Sequence, residues 1–222
     1  MKVLKFGGTS VGSAQRMKAV AELLQNDEQK MVVLSAMSGT TNSLLQIADY
    51  IRLGNVTSAT ELVNSLELKY NQDIEALYST DKMLNEAKQA IGDYLRLIRS
   101  LCMQGYSEQL EKTIVSFGEQ MSTKMFALYL TETGVDAVLL PALDFMRLQT
   151  NGEPDLNMIT SLLKQVIAEA GEHLIYITQG FICLDSEGKI TNLQRGGSDY
   201  TASLVGAAID AEEIQIWTDI DG

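Results

Sequence analysis

The sequence is poor in the residue types that build disulfide frameworks and metal sites. Its 222 residues include only two cysteines, Cys102 and Cys183, and a single histidine, His173. Two cysteines so far apart give no disulfide framework, so we expect buried thiols in a reducing, cytoplasmic compartment. Zinc-type ligand spacing is absent. We therefore expect no metal site built by the protein alone, and we place His173 at a helix end or on the surface.

Long apolar runs and an excess of positive charge are also missing. No segment approaches the roughly 18 consecutive apolar residues of a membrane helix, and the apolar run at the amino terminus is too short for a signal peptide. The net charge is -12, which disfavours nonspecific binding to nucleic acid. We therefore expect neither nucleic acid nor membrane as a partner. An anionic substrate would need a local cluster of lysine and arginine.

What is present suits a packed α/β protein, with 45% hydrophobic and 21% charged residues. Apolar patterning predicts strands at 1–6, 31–34, 137–140, 174–178 and 213–217, helices at 13–24, 114–130, 156–170 and 200–209, and a hairpin at 182–193. This order is typical of a parallel sheet whose ligands bind at the carboxyl ends of the strands.

The middle of the chain carries helical spacing with almost no strand signal. From about 43 to 112, apolar residues recur at helical intervals, and proline is absent. We predict a helical insertion that packs on the sheet domain. A coiled-coil arm is the alternative, although the heptads are not sustained.

A first glycine-bearing turn has the composition of a phosphate site. Lys5 ends the first predicted strand, and Gly7, Gly8, Thr9 and Ser10 follow it. Glycines let backbone N–H groups approach a phosphate, the next helix adds its dipole, and lysine supplies a mobile charge. The order differs from a Walker loop, in which the lysine follows the glycines. A plain strand-turn-helix with a surface lysine is the alternative.

A second glycine-bearing turn contains Arg195, Gly196, Gly197, Ser198 and Asp199. Arg195 is suited to a bidentate contact with a carboxylate. Ser198 and Asp199 also have the character of helix amino-terminal residues, where the dipole favours an acid. A simple capped helix is the alternative, and both interpretations can hold together.

Three further segments offer polar side chains to a binding site. Glu119 follows Gly118, which interrupts a helical pattern, and is either a solvated acid or an anion that receives a substrate ammonium. The hydroxyl-rich segment 35–41 forms either an ordinary turn or a polar pocket. Thr218 and Asp219 follow the last predicted strand, a position suited to a nucleotide or metal contact.

Together these segments resemble the aspartokinase family of amino-acid kinases. The matching segments are Lys-Phe-Gly-Gly-Thr-Ser-Val at 5–11, Val-Leu-Ser-Ala-Met-Ser-Gly-Thr-Thr-Asn at 33–42, Phe-Gly-Glu-Gln-Met-Ser at 117–122, Gln-Gly-Phe at 179–181, Arg-Gly-Gly-Ser-Asp-Tyr-Thr-Ala at 195–202 and Trp-Thr-Asp-Ile-Asp-Gly at 217–222. The first and fifth segments are specific in this order and distance, and the others support them. The resemblance implies a three-layer αβα sandwich with a mainly parallel sheet, the carbamate kinase-like fold.

The resemblance also implies a reaction. Aspartokinases transfer the γ-phosphoryl group of ATP, with Mg²⁺, to the β-carboxylate of L-aspartate, the first step of lysine, threonine and methionine biosynthesis. The nucleophile is already a carboxylate, so no protein base is needed, and catalysis is positioning plus charge neutralisation. The full-length protein is expected to be a cytoplasmic homo-oligomer.

The resemblance assigns roles to individual residues. Lys5 stabilises the charge on the transferring phosphoryl group, and Asp199 organises that lysine. Arg195 binds a substrate carboxylate, and Glu119 binds the α-ammonium. The phosphate site contains Gly7, Gly8, Thr9 and Ser10, the aspartate pocket is lined by Ser35, Thr41, Phe181 and Ser198, and the nucleotide site begins with Thr218 and Asp219.

Members of that family continue beyond the Thr-Asp-x-Asp-Gly segment into the rest of the adenine site and then into regulatory ACT domains. We therefore expect residues 1–222 to be a catalytic domain truncated on its carboxyl-terminal side, without ACT domains. Such a fragment should bind aspartate weakly and have little or no kinase activity.

Two alternatives to an aspartate kinase remain open. One is a related kinase that acts on glutamate, acetylglutamate or uridylate, against which the Lys-Phe-Gly-Gly-Thr-Ser and Gly-Glu-Gln-Met-Ser segments argue. The other is a non-catalytic amino-acid-binding or assembly module, against which the presence of Lys5, Arg195 and Asp199 argues.

Overall fold

The computed structural model describes residues 1–193 and 196–218. Within them, a five-stranded parallel sheet lies between two layers of helices, which confirms the predicted three-layer αβα sandwich. The strands of the sheet are β1 (Lys2–Phe6), β2 (Lys30–Leu34), β3 (Ala137–Leu139), β4 (Ile175–Gln179) and β7 (Glu213–Trp217), and a separate antiparallel pair is formed by β5 (Ile182–Leu184) and β6 (Ile190–Asn192). The helices are α1 (Ala14–Leu23), α2 (Thr40–Arg52), α3 (Val56–Leu77), α4 (Asp81–Cys102), α5 (Glu108–Glu132), α6 (Ala142–Phe145), α7 (Leu156–Ala170) and α8 (Gly197–Ala208).

Both faces of the sheet are covered, because successive residues of a strand point to opposite sides. Leu4, Val32 and Ile177 face the layer that holds α1 to α5. Val3 and Met31 face the layer that holds α6 to α8. All five residues of β2 are buried, as expected for a central strand in a parallel sheet.

The order of strands, β3-β4-β2-β1-β7, creates a crevice at one edge of the sheet. The chain leaves β2 toward α2 in one helical layer, whereas it leaves the neighbouring strand β4 toward the hairpin and α8 in the other layer. Loops that diverge from adjacent parallel strands open a crevice at the carboxyl ends, where α/β proteins bind ligands.

The predicted helical region consists of α2, α3, α4 and the start of α5. These helices share one hydrophobic core with α1 and with one face of the sheet, rather than extending away from it as an arm. Within the described residues, none of the helices combines the length and apolarity needed to cross a membrane. The division of the chain into an insertion and a truncated catalytic domain stays a prediction.

Three local features differ from the sequence-based expectation. Gly118 does not interrupt its helix, because α5 continues through it. Helix α8 begins at Gly197 rather than at Tyr200, with Gly196 at the N-cap position in a left-handed conformation (φ +81°), so Ser198 and Asp199 lie in the first turn. Helix α6 was not predicted, since four residues are too few to show a helical period.

Candidate active site

A cleft of about 480 Å³ opens at the carboxyl ends of β1, β2 and β4. Its walls come from the two glycine-bearing turns, the segment after β2, and α5. The predicted site residues that line it are Lys5, Gly8, Thr9, Ser35, Thr41, Glu119, Phe181, Ser198 and Asp199. The fold therefore brings together segments from both ends of the described chain.

The ammonium of Lys5 and the carboxylate of Asp199 form an ion pair at this cleft, with Nζ 2.7 Å from Oδ1. The lysine side chain is only 10% exposed, while the aspartate side chain is 52% exposed. Lys5 lies near the carboxyl end of β1, and Asp199 lies in the first turn of α8, where the helix dipole favours an acid. The ion pair fixes the position of the lysine ammonium, while part of the Asp199 side chain remains exposed to water.

The first glycine-bearing turn is pressed against the segment after β2. A Cβ atom at Gly8 would lie 2.7 Å from the carbonyl oxygen of Ala36, and a Cβ atom at Gly12 would lie 3.0 Å from Cβ of Ser38. The N–H of Ser38 donates a hydrogen bond to the carbonyl of Gly8 at 3.0 Å. Only glycine permits this approach, and the two loops consequently form a single wall of the cleft. Gly7 lies beside the lysine, since its Cβ position is 3.6 Å from Nζ of Lys5.

Glu119 places a buried carboxylate in the cleft wall and is only 3% exposed. One oxygen, Oε1, accepts a hydrogen bond from the N–H of Ala36 at 3.3 Å. The other, Oε2, has no hydrogen-bond partner within the described part of the chain. Burial raises the pKa of Glu119 to about 7. A buried carboxylate oxygen without a partner is costly, and a ligand that carries an ammonium group would satisfy it.

Helix α5 can present Glu119 in this way because of the preceding glycine. A Cβ atom at Gly118 would lie 2.9 Å from Cβ of Ala36 and 3.3 Å from Cδ1 of Leu44. The absence of a side chain therefore lets α5 approach the segment after β2 closely enough for Glu119 to reach the N–H of Ala36.

The chain leaves β4 through a constrained segment. Phe181 adopts a left-handed conformation with φ +70°, which is uncommon for a residue other than glycine. Its N–H donates to Oγ1 of Thr201 at 3.0 Å, and its carbonyl accepts from the N–H of Leu193 at 2.7 Å. These bonds fix Phe181 at the cleft, and strain of this kind concentrates at functional sites.

Two of the predicted site residues lie apart from the cleft. Ser10 and Thr218 line a separate groove of about 190 Å³, together with Arg16 and Trp217. The indole of Trp217 stacks on the ring of Phe6, with ring centroids 5.7 Å apart. The predicted residues Arg195 and Asp219 lie outside the described residues.

Comparison with known proteins identifies the family. Residues 1–222 match the amino acid kinase family. The chain belongs to this family.

Curated aspartokinases are among the relatives of this chain. It is 35% identical to aspartokinase 1, chloroplastic, of Arabidopsis thaliana over 99% of this chain and 40% of the relative. It is 33% identical to lysine-sensitive aspartokinase 3 of Escherichia coli over 99% of this chain and 49% of the relative. The chain thus spans less than half the length of these two relatives.

Solved structures show the same likeness. Escherichia coli aspartokinase III in complex with lysine and aspartate (T-state) superposes with a TM-score of 0.86 at 33% identity, covering 99% of this chain and 49% of that chain. The same enzyme in complex with aspartate and ADP (R-state) gives a TM-score of 0.78 at 31% identity, covering 100% of this chain and 50% of that chain.

The structure adds residues to the candidate site that the sequence prediction did not include. They are Ala36, Met37, Ser38, Gly39, Gly196 and Gly197, which all line the cleft. Each is next to, or within a few residues of, a predicted site residue. Their segments were therefore recognised, although these six residues were not named as members of the site.

Gln179 is a further residue that supports the site. Its buried amide donates through Nε2 to Oγ1 of Thr123 in α5 at 2.8 Å, and its Oε1 accepts from the N–H of Ala142 in α6 at 2.7 Å. It therefore ties the end of β4 to both helical layers. The Gln-Gly-Phe segment was the available sequence signal.

Proposed function

We propose that the cleft binds L-aspartate and directs transfer of the γ-phosphoryl group of ATP to its β-carboxylate. The observation that supports this most is the presence of two opposite charges in one cleft. Lys5, in its ion pair, supplies a cation for a phosphoryl group. Oε2 of Glu119, which has no partner among the described residues, supplies an anion for an ammonium. Relatives named aspartokinases, one of them solved with aspartate and ADP, support the same assignment.

The substrate would be held at both ends. Glu119 receives the α-ammonium, and Arg195, which lies outside the described residues, pairs with a substrate carboxylate. Ser35, Ser198 and the neighbouring cleft residues Thr41 and Phe181 enclose the side chain. A larger acidic substrate would fit only if these enclosing residues moved.

The chemistry needs little from the protein beyond position and charge. A β-carboxylate oxygen of aspartate forms a bond to the γ-phosphorus of ATP, and the bond from that phosphorus to the β,γ-bridging oxygen breaks, which releases ADP. No proton moves, because the attacking carboxylate is already ionised. Lys5 neutralises charge on the transferring group, and the turn with Gly7 and Gly8 allows backbone N–H groups to approach it.

Magnesium would enter with the nucleotide. This ion usually keeps several waters and binds through phosphates and one or two carboxylates. Asp199 offers one such carboxylate, since it is half exposed at the cleft. The groove beside Ser10 and Thr218 is the start of the nucleotide site in this proposal.

At the level of the whole protein, we propose the first step of lysine, threonine and methionine biosynthesis in a cytoplasmic homo-oligomer.

Calorimetry of the chain with L-aspartate, L-glutamate and L-asparagine tests the substrate. We expect L-aspartate to bind at least about tenfold more tightly than either analogue. One extra methylene group, as in L-glutamate, is alone worth about tenfold or more, and L-asparagine lacks the charge of the β-carboxylate. Equal affinity for all three would contradict the proposal. Trapping of an acyl phosphate with hydroxylamine in the presence of ATP and Mg²⁺ reports the reaction itself.

Titration with ATP separates a kinase from a non-catalytic amino-acid-binding module. In a kinase, Lys5→Met should weaken ATP binding because a phosphate loses its counter-ion. In a binding module, Lys5→Met would change the affinity for neither aspartate nor ATP.

A further inference from the structure

Helix α3 contacts the outer side of the segment that follows β2. Nζ of Lys69 donates to the carbonyl of Ser38 at 2.5 Å. The next residue, Tyr70, brings its hydroxyl 3.2 Å from Oγ1 of Thr40, and both of these side chains are fully buried. Two successive residues of α3 therefore hold a segment of the cleft wall from behind.

The same helix also contacts the start of α1, which follows the first glycine-bearing turn. Oδ1 of Asp73 accepts a hydrogen bond from the N–H of Ala14 at 3.2 Å. Ala14 is the first residue of α1, and N–H groups in the first turn of a helix lack partners within that helix. Asp73 thus completes the amino terminus of α1, where a negative charge is favoured.

These contacts act on one connected wall. The N–H of Ser38 bonds to the carbonyl of Gly8, and Gly12 is packed against Ser38. A shift of either loop would move the other. Lys69 and Asp73 are one helical turn apart, so a single face of α3 reaches both loops.

We infer that Lys69, Tyr70 and Asp73 are positioning residues for the active site, which fix the loops 7–13 and 35–40 against each other. None of the three lines the cleft. The identity of the ligand that the two loops bind rests on the proposed function. The contacts by which α3 braces the loops do not depend on it. The helical region between β2 and β3 thereby has a role in the geometry of the site as well as in the core.

Tyr70 is the member whose hydroxyl can be removed with the least change in shape. In Tyr70→Phe the ring stays in the core, while the buried Oγ1 of Thr40 loses this contact. Tyr78 is a matched control, because it is also buried and its hydroxyl donates to the carbonyl of Met125 at 2.6 Å, away from both loops. For Asp73→Ala, the variant Asp73→Asn is the control, since an amide oxygen can still accept from Ala14.

Amide hydrogen exchange of the whole chain, measured with and without L-aspartate, tests the inference. In Tyr70→Phe and in Asp73→Ala we expect exchange to be about tenfold faster in the peptides covering 7–13 and 35–40, and aspartate affinity to fall about three- to tenfold. Tyr78→Phe and Asp73→Asn should stay within about twofold of the native chain in both measurements.

Unchanged exchange of the two loops in Tyr70→Phe and Asp73→Ala would overturn the inference. So would an equal acceleration in Tyr78→Phe, which would indicate general destabilisation. If the native chain fails to bind aspartate but the exchange pattern is as expected, the proposed function fails and the bracing role stands. If aspartate binds and hydrogen exchange in the two loops is unchanged in the variants, the bracing role is contradicted and the proposed function is not.

Discussion

The hydroxyl of Ser35 donates a hydrogen bond to the hydroxyl of Ser198 at 3.0 Å, across the crevice between β2 and β4. The two residues are 163 positions apart in the chain. The contact depends on Gly180 at the end of β4, because a Cβ atom there would lie 2.6 Å from Oγ and 2.9 Å from Cα of Ser198. A glycine thus determines how closely the two halves of the cleft approach.

Gly180→Ala should therefore open the cleft. The added methyl group meets the backbone of α8, so the first turn of that helix must move and the contact between Ser35 and Ser198 is lost. We expect a loss of stability on the order of 1–3 kcal/mol and a fall in aspartate affinity of about tenfold or more, measured by denaturant unfolding and calorimetry.

Gly92→Ala provides the control for Gly180→Ala. Gly92 lies inside α4, where a Cβ atom would meet, among the described residues, just the flexible end of Arg96 at 3.3 Å. Alanine there should stabilise the chain by about 1 kcal/mol without changing aspartate binding. If Gly180→Ala behaved like Gly92→Ala, the close approach would have no importance for the site.

Gly118→Ala tests how α5 presents Glu119. Alanine is favoured over glycine inside a helix by about 1 kcal/mol of stability. Its methyl group, however, would overlap Cβ of Ala36, and such overpacking lowers stability by about 1–3 kcal/mol. We expect α5 to move outward, which lengthens the bond from Ala36 to Glu119 and weakens aspartate binding, as calorimetry can show.

The double variant Gly118→Ala with Ala36→Gly removes the overlapping methyl group. It should recover much of the aspartate affinity. Failure to recover, with the fold intact, would place the origin of the effect elsewhere, for example at Leu44, which lies 3.3 Å from the new Cβ position.

Much of the fold was predictable because apolar residues recur at strand and helix spacing along the chain. The predicted helix 156–170 coincides with α7, and the predicted strand 213–217 coincides with β7. The order of the strands was not predictable, since β4 inserts between β2 and β3 through long-range pairing that leaves no local pattern.

Part of the candidate site was likewise predictable from the sequence, and part was not. Lys5 and Asp199 could be named from the sequence because each lies in a glycine-bearing turn whose segment resembles the aspartokinase family. The bracing by Tyr70 and Asp73 was not recognisable, because an aromatic residue and an acid within a long amphipathic helix are indistinguishable from core and surface residues. Their importance depends on what the fold places opposite them.

The raised pKa of Glu119 predicts a pH dependence of aspartate binding. Its value of about 7 in the free chain means that the carboxyl group is largely neutral at pH 6, and only the ionised form pairs with an ammonium. We expect aspartate affinity to fall by up to about tenfold for each pH unit below 7 and to level off above pH 8. Calorimetry from pH 5.5 to 8.5 measures this.

Glu119→Gln is the matched variant for that titration. It should bind aspartate more weakly at pH 8 and lose the dependence between pH 6 and 8, because the amide carries no charge at any of these values. A native chain whose affinity is constant across this range would contradict a role for Glu119 in holding the ammonium.

The same carboxyl group should make stability depend on pH in the absence of ligand. Its folded-state pKa of about 7 lies above the ordinary value of 4.5, so between these values the folded chain binds more protons than the unfolded chain. The contribution of Glu119 is fully present below about pH 4.5 and is lost as the pH rises through about 7, by on the order of 3 kcal/mol in total.

Other acids have the opposite effect, since hydrogen bonds lower the pKa of Glu132 and of Asp136, which favours the folded state at higher pH. The difference between native chain and Glu119→Gln therefore isolates the buried group. Denaturant unfolding at pH 5 and pH 8 should show the variant gaining in relative stability as the pH rises, because its amide is never ionised. A difference that stays constant between the two pH values would mean that Glu119 ionises as freely in the fold as in water, and that its burial does not tune the site.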